Sequence, residues 1–146
     1  MKRIWIINGP NLNLLGKREP HIYGTMTLEQ LDALCVETGR QAGTQVSCRQ
    51  SNHEGELIGW LHASRTEADG IILNPAGFGH SSVALLDAAL ACEKPVIEVH
   101  LSNIFRREAY RRHSYLSEGV LGVISGLGSG GYIAAVWELA RRLGGS

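Results

Sequence analysis

Short apolar runs of strand length recur along the chain and are separated by longer segments of helical character. The runs are rich in β-branched residues, and each is followed by a turn signal. They are IWII (4–7), QVSC (45–48), GIIL (70–73), PVIEV (95–99) and GVIS (122–125). The pattern predicts five short strands.

The segments between the runs carry the start and stop signals of helices. Thr27 and Gln30 have the spacing of a capping box, and Ser51 and Glu54 repeat it before the next stretch. Further helices are predicted at about 82–92 and at about 131–143. Strands therefore alternate with helices throughout.

Strict alternation favours right-handed βαβ units, because parallel strands need a crossover helix. We predict an α/β fold with three layers, in which helices cover both faces of a five-stranded parallel sheet. The expected strand order is the flavodoxin-like 2-1-3-4-5. Residues 1–146 are expected to form one domain.

Composition excludes several classes of partner. The formal net charge is zero, so neither nucleic acid nor a membrane surface is expected as a partner. The first apolar run is too short for a signal segment or a membrane span. Three widely spaced cysteines, Cys35, Cys48 and Cys92, are typical of reduced thiols, which predicts a cytoplasmic protein.

Polar side chains follow four of the predicted strands. Singly, such residues are ordinary turn formers, but ligands of an open parallel sheet bind at the carboxyl ends of its strands. The residues are Asn8, Asn11 and Asn13; Gln50, Ser51 and Asn52; Asn74 and His80; and His100, Ser102 and Asn103. Their convergence predicts a site at this edge.

The segment NGPNLNLLGKREPHIYG (8–24) lacks the composition of a phosphate-binding or flavin-binding loop. It places Arg18 and Tyr23 between Gly16 and Gly24, which are residues able to absorb the motion of a lid. A cation beside a phenol stabilises the anionic form, so Tyr23 is a candidate base. The alternative is a tyrosine packed on an arginine at a loop rim.

Two histidines are candidates for binding or acid–base chemistry. His80 precedes the start of a helix, a place that suits an anionic or hydroxylated ligand, although it can equally be a surface residue beside an N-cap serine. A serine-hydrolase elbow is excluded, because Val83 stands where glycine is required. Glu98, two residues before His100, can orient that imidazole as a general acid, or simply satisfy a buried histidine.

The sequence also contains a glycine-rich motif and a cluster of arginines. The sequence GLGSGG (126–131) matches a dinucleotide fingerprint, but the chain ends before the required strand and acidic residue, so we interpret it as a turn or as close helix–sheet packing. An arginine cluster is predicted to contact a carboxylate or another subunit. Its members are Arg106, Arg107, Arg111 and Arg112.

Four long motifs, in this order and spacing, resemble the type II 3-dehydroquinate dehydratases, and the resemblance covers nearly the entire chain. They are NGPNLNLLGKREPHIYG, QSNHEGELIGWLH, LNPAGFGHSSVAL and EVHLSNIFRREAYRRHSY. The resemblance implies anti elimination of water from 3-dehydroquinate through an enolate, giving 3-dehydroshikimate, with no metal, cofactor or Schiff base. The positions of the lysines are consistent with the absence of a Schiff base, because none of them ends an apolar strand. The lysines are Lys2, Lys17 and Lys94.

The resemblance also implies roles for individual residues. Tyr23 would remove the C2 proton as tyrosinate, supported by Arg18, and Asn11 would stabilise the enolate through a water. His100, held by Glu98, would protonate the leaving hydroxyl. The substrate would be held by Asn74, His80, Leu101 through its backbone, Ser102 and Arg111, with Asp87 reaching a neighbouring subunit's site in a dodecamer of trimers.

Other interpretations remain open at this point. The same reaction serves the shikimate pathway of aromatic biosynthesis and the breakdown of quinate. A noncatalytic protein that binds a hydroxy acid on the same scaffold predicts binding without turnover. A nicotinamide-dependent oxidoreductase predicts saturable NAD(H) binding, which the absent acidic residue disfavours.

Overall fold

The computed structural model describes residues 1–144 and contains one parallel five-stranded sheet. Its strands are β1 (Arg3–Asn8), β2 (Gln45–Gln50), β3 (Gly70–Asn74), β4 (Val96–His100) and β5 (Gly122–Ser125). The order is β2-β1-β3-β4-β5, which confirms the predicted flavodoxin-like arrangement. The first two strands extend one or two residues beyond the predicted runs.

Within the described part of the chain, five α-helices connect or flank the strands. They are α1 (Pro20–Tyr23), α2 (Leu28–Gln41), α3 (Glu54–Glu67), α4 (Val83–Ala91) and α5 (Ser129–Gly144). Short 3₁₀ turns occupy most of the loops. No helix in residues 1–144 combines the length and the apolar character needed to cross a bilayer.

Apolar side chains alternate between the two faces of the sheet, and each face has its own core. On one face α2 and α5 cover residues such as Ile4, Ile6 and Ile72. On the other, α3 and α4 cover Ile7 and Leu73. Burial on both sides explains the continuous apolar runs of the sequence.

The helix starts follow the predictions in two cases and depart from them in one. Thr27 and Gln30 form the predicted capping box of α2, and the Ser82 hydroxyl accepts the Leu85 N–H at the start of α4. The predicted capping box of Ser51 is wrong. Its hydroxyl accepts the N–H of His53 instead (2.9 Å), so it closes a turn and α3 begins without a side-chain cap.

A buried polar network joins β1, β3 and α5 below the carboxyl edge of the sheet. The Tyr132 hydroxyl of α5 donates to Asn8 Oδ1 (2.7 Å) and accepts from Asn74 Nδ2 (2.9 Å). Asn8 and Asn74 are register partners at the ends of their strands. Burial raises the pKa of Tyr132, so the hydroxyl stays protonated and able to donate.

Replacing Tyr132 by phenylalanine is expected to destabilise the fold. The change leaves the buried Asn8 Oδ1 and Asn74 Nδ2 without their partner, and each such group costs about 1–3 kcal/mol. Urea denaturation measures the free energy of unfolding, with Tyr110→Phe as a matched control because Tyr110 is 64% exposed. Equal stability of the two variants would contradict the structural role of the network.

Candidate active site

A pocket of about 250 Å³ is lined by residues that follow β1, β3 and β4. Most of the predicted site residues line it. These are Asn11, Arg18, Tyr23, Asn74, His80, His100, Leu101, Ser102 and Arg111. Of the remaining two, Glu98 is buried beside His100, whereas Asp87 lies outside this pocket on the exposed side of α4. The structure therefore brings nine of the eleven predicted residues together at one edge of the sheet.

The loop after β2 holds the loop after β1. Asn11 has a left-handed backbone (φ 70°), and its N–H donates to Asn52 Oδ1 (2.9 Å). The Gln50 side-chain amide donates to the same oxygen (3.1 Å) and to the carbonyl of Gly9 (3.1 Å). Polar residues after β2 thus act as supports for the pocket wall.

Tyr23 ends the short helix α1, inside the segment bounded by Gly16 and Gly24. Both glycines have positive φ, 82° and 83°, a conformation that other residues rarely adopt. The Arg18 guanidinium carbon lies 5.6 Å from the centroid of the Tyr23 ring. The predicted pair is therefore brought together, with the cation near the ring.

Sequence reasoning missed the arginine that contacts the Tyr23 hydroxyl. Arg107 Nη1 donates to Tyr23 Oη (2.8 Å) and to Ser102 Oγ (3.3 Å). Its side chain is only 14% exposed. The sequence identified it as one of four clustered arginines, but nothing local separates it from its neighbour Arg106, because the contact joins residues 84 positions apart.

His100 is held by a fully buried carboxylate. Its Nε2 bonds to Glu98, which also accepts from the hydroxyls of Ser114 (2.9 Å) and Ser117 (2.7 Å). Burial raises the pKa of Glu98, but these hydrogen bonds more than offset the burial and hold the pKa below its usual value. The ionised carboxylate fixes the imidazole and can stabilise its protonated form.

His80 and Asn74 are also oriented by fixed partners. His80 Nδ1 donates to the carbonyl of His113 (2.8 Å), so Nε2 is the ring nitrogen directed to other groups. The rings of His80 and His100 stack with centroids 6.3 Å apart. Asn74 Oδ1 accepts the Ala76 N–H (3.0 Å), which together with Tyr132 defines its amide orientation.

The remaining predicted ligand, Arg111, lines the pocket with its charge partly neutralised. Its Nε donates to Glu108 Oε2 at 2.8 Å. A carboxylate ligand would therefore compete with Glu108 for this guanidinium. Among residues 1–144, no three His, Cys, Asp or Glu side chains cluster as metal ligands would.

The glycine motif forms a turn and a packing contact, as predicted. Gly126 has φ 90°. A Cβ on Gly131 would lie 3.2 Å from Ile124 Cγ2, so glycine allows α5 to approach β5 closely.

Comparisons with known proteins agree with this geometry. Residues 2–140 match the family described as Dehydroquinase class II. A 3-dehydroquinate dehydratase of Streptomyces coelicolor is 51% identical over 97% of this chain and 90% of its own length. A catabolic 3-dehydroquinase of Talaromyces marneffei is 52% identical over 93% of this chain and 78% of its own length.

Solved structures give the same result. The crystal structure of type II dehydroquinase from Propionibacterium acnes superposes with a TM-score of 0.94 at 44% identity, covering 97% of both chains. The chain belongs to the class II dehydroquinase family.

Proposed function

We propose that this chain is a hydro-lyase that converts 3-dehydroquinate to 3-dehydroshikimate and water. Besides membership of the family, one structural observation supports the proposal. The pocket contains a tyrosine hydroxyl bonded to an arginine cation and an imidazole bonded to a buried carboxylate. A candidate base and a candidate acid, each with its own charged partner, are what an elimination next to a ketone requires.

Tyr23 acts as the base in the proposed reaction. As tyrosinate it removes the proton from C2 of the substrate, and the electron pair of the C–H bond forms an enolate on the ketone oxygen. The guanidinium groups of Arg107 and Arg18 stabilise the tyrosinate charge, because each lies within 6 Å of the ring and Arg107 also bonds to the oxygen. Asn11 stabilises the enolate through a bound water.

His100 acts as the acid in the second step. The enolate electrons return to form the C1–C2 double bond, the C1–O bond breaks, and the imidazolium gives its proton so that water leaves. Glu98 supports the charged imidazole before transfer. To begin a new cycle, Tyr23 must lose a proton and His100 must regain one.

The other residues are proposed to bind and orient the substrate. The backbone of Leu101 and the hydroxyl of Ser102 hold the carboxylate, with Arg111 supplying positive charge. His80 and Asn74 bind the ring hydroxyls. Their fixed hydrogen-bond partners favour this role because a pre-oriented group loses little freedom on binding.

The proposal extends to the assembly and the location of the protein. We expect a dodecamer of trimers in the cytoplasm, with Asp87 reaching a neighbouring subunit's pocket. Asp87 lies on α4 between Val83 and Leu90, which are 52% and 56% exposed, and the three cysteines are unbonded thiols. Sedimentation velocity would measure the mass, and a monomer would contradict the proposal.

The pathway remains a choice between two uses of one reaction. We propose the shikimate pathway, because the Streptomyces coelicolor relative, whose name carries no catabolic qualifier, matches this chain over 90% of its own length, against 78% for the Talaromyces marneffei relative. The Talaromyces relative, named catabolic, favours quinate breakdown as the second candidate. Loss of growth without aromatic amino acids on deletion of the gene would support the first, and loss of growth on quinate alone would support the second.

Purified protein is expected to dehydrate 3-dehydroquinate in metal-free, cofactor-free buffer. Because the product contains a conjugated enone, ultraviolet absorbance should grow with time, and borohydride pretreatment should not prevent it. A flat trace with demonstrable ligand binding would instead identify a noncatalytic binding protein.

Tyr23→Phe is expected to remove at least 99% of kcat while substrate still binds, because the phenol oxygen that takes the proton is absent (about 10²–10⁴-fold for a positioned base). Steady-state kinetics give kcat, and calorimetry gives the dissociation constant. Tyr110→Phe is the matched control. Near wild-type kcat in the Tyr23 variant would refute the assignment of the base.

Arg107→Gln is expected to lower kcat by about 10²-fold, since it removes a charged donor from the reacting oxygen. Arg106→Gln changes an exposed neighbour and should leave kcat within about twofold. Arg18→Gln should also lower kcat. If kcat is unchanged in the Arg107 variant, its bond to Tyr23 has no part in the reaction.

A further inference from the structure

The end of β5 and its connection to α5 bind the carbonyl groups of three consecutive residues, the last of β4 and the two that follow it. This connection is the one that contains the glycine motif. The hydrogen bonds are Gly126 N–H to the His100 carbonyl (3.2 Å), Gly128 N–H to the Leu101 carbonyl (3.0 Å) and the Ser125 hydroxyl to the Ser102 carbonyl (3.2 Å).

Ser125 makes two of the contacts with one hydroxyl. Because a carbonyl can only accept, the hydroxyl proton is directed to Ser102, and a lone pair accepts the N–H of Ile104 (3.3 Å). The side chain therefore bridges two peptide groups that flank Asn103. It does so from outside the pocket lining.

The direction of the carbonyls determines the direction of the amides. In a trans peptide, C=O and the following N–H point in opposite directions. With three carbonyls bonded to the β5–α5 connection, the N–H groups of Leu101, Ser102 and Asn103 face away from it. Successive N–H groups on one side of a loop form a binding place for an anion.

The glycine at position 126 is required for this arrangement. A Cβ there would approach Asn103 Cβ to 2.8 Å and Asn103 Cα to 3.1 Å. Any side chain would therefore push the two loops apart and lengthen the hydrogen bonds between them. The motif that imitates a dinucleotide fingerprint instead permits this loop-to-loop contact.

We propose that Ser125 is a positioning residue for the substrate carboxylate. This role rests on the proposed function, in which Leu101 and Ser102 bind the substrate carboxylate. By holding the Ser102 carbonyl and the Ile104 amide, the Ser125 hydroxyl keeps the anion-binding amides in place before substrate arrives. It touches no reacting atom, so it affects binding more than chemistry.

The test compares Ser125→Ala and Ser125→Thr, with Ser129→Ala as a control that removes a hydroxyl at the first residue of α5. Kinetics with 3-dehydroquinate give KM and kcat, and calorimetry gives the Kd of quinate, a hydroxy acid whose binding requires no turnover. Thermal melting reports folding. Ser125→Cys, nearly the same size but a weak donor, serves if the alanine variant does not fold.

The alanine variant is expected to raise KM and the quinate Kd about tenfold, with kcat changed less than about threefold. Threonine should restore both, cysteine should be intermediate, and the Ser129 control should match wild type. A fall in kcat with unchanged KM and Kd, or an equal effect in the control, would overturn the proposal. Wild-type protein without turnover whose quinate affinity still depends on Ser125 would refute the dehydratase and retain the positioning role.

Discussion

A buried parallel strand that ends at the edge of its sheet leaves polar groups that must find partners, and the architecture of this pocket depends on how they do so. The side chains of Asn8 and Asn74 form hydrogen bonds with the Tyr132 hydroxyl. The carbonyl of His100 accepts a hydrogen bond from the N–H of Gly126. The carboxylate of Glu98, with no exposed surface, accepts three hydrogen bonds. Unpaired, each such group would cost about 1–3 kcal/mol.

The same bonds that satisfy these groups also orient the residues that face the ligand. The imidazole of His100 is fixed by the carboxylate behind it, and the amide of Asn74 is fixed by the phenol of α5. In these places, stability and pre-organisation have one structural cause. Helix α5 therefore contributes to the site although none of its residues lines the pocket.

Much of this arrangement could be predicted from local signals. Apolar runs and turn residues indicated five parallel strands, and polar residues after the strands indicated the site edge. Glu98 and His100 share a strand face, so their contact follows from a period of two. Tyr23 and Arg18 could be paired from the sequence because they lie only five positions apart.

The parts that local signals missed depend on tertiary contacts. Arg107 is distinguished from Arg106 only by its hydrogen bond to Tyr23, a residue on another segment. Ser114 and Ser117 are distinguished from other serines only by their hydrogen bonds to the Glu98 carboxylate. Ser51 has the spacing of a cap, but its hydroxyl accepts the N–H of His53, one residue before the Glu54 N–H that a capping box would use.

The contact between Tyr23 and Arg107 joins two distant parts of the chain, one after the first strand and one after the fourth. Arg18 lies in the same part as Tyr23, but Arg107, which bonds to the hydroxyl, lies in the other, so this bond exists only when the sheet has assembled across both. A partly folded chain that has built only its first strands would hold Tyr23 without the arginine that donates to its hydroxyl. Recovery of activity during refolding would therefore time the completion of the sheet.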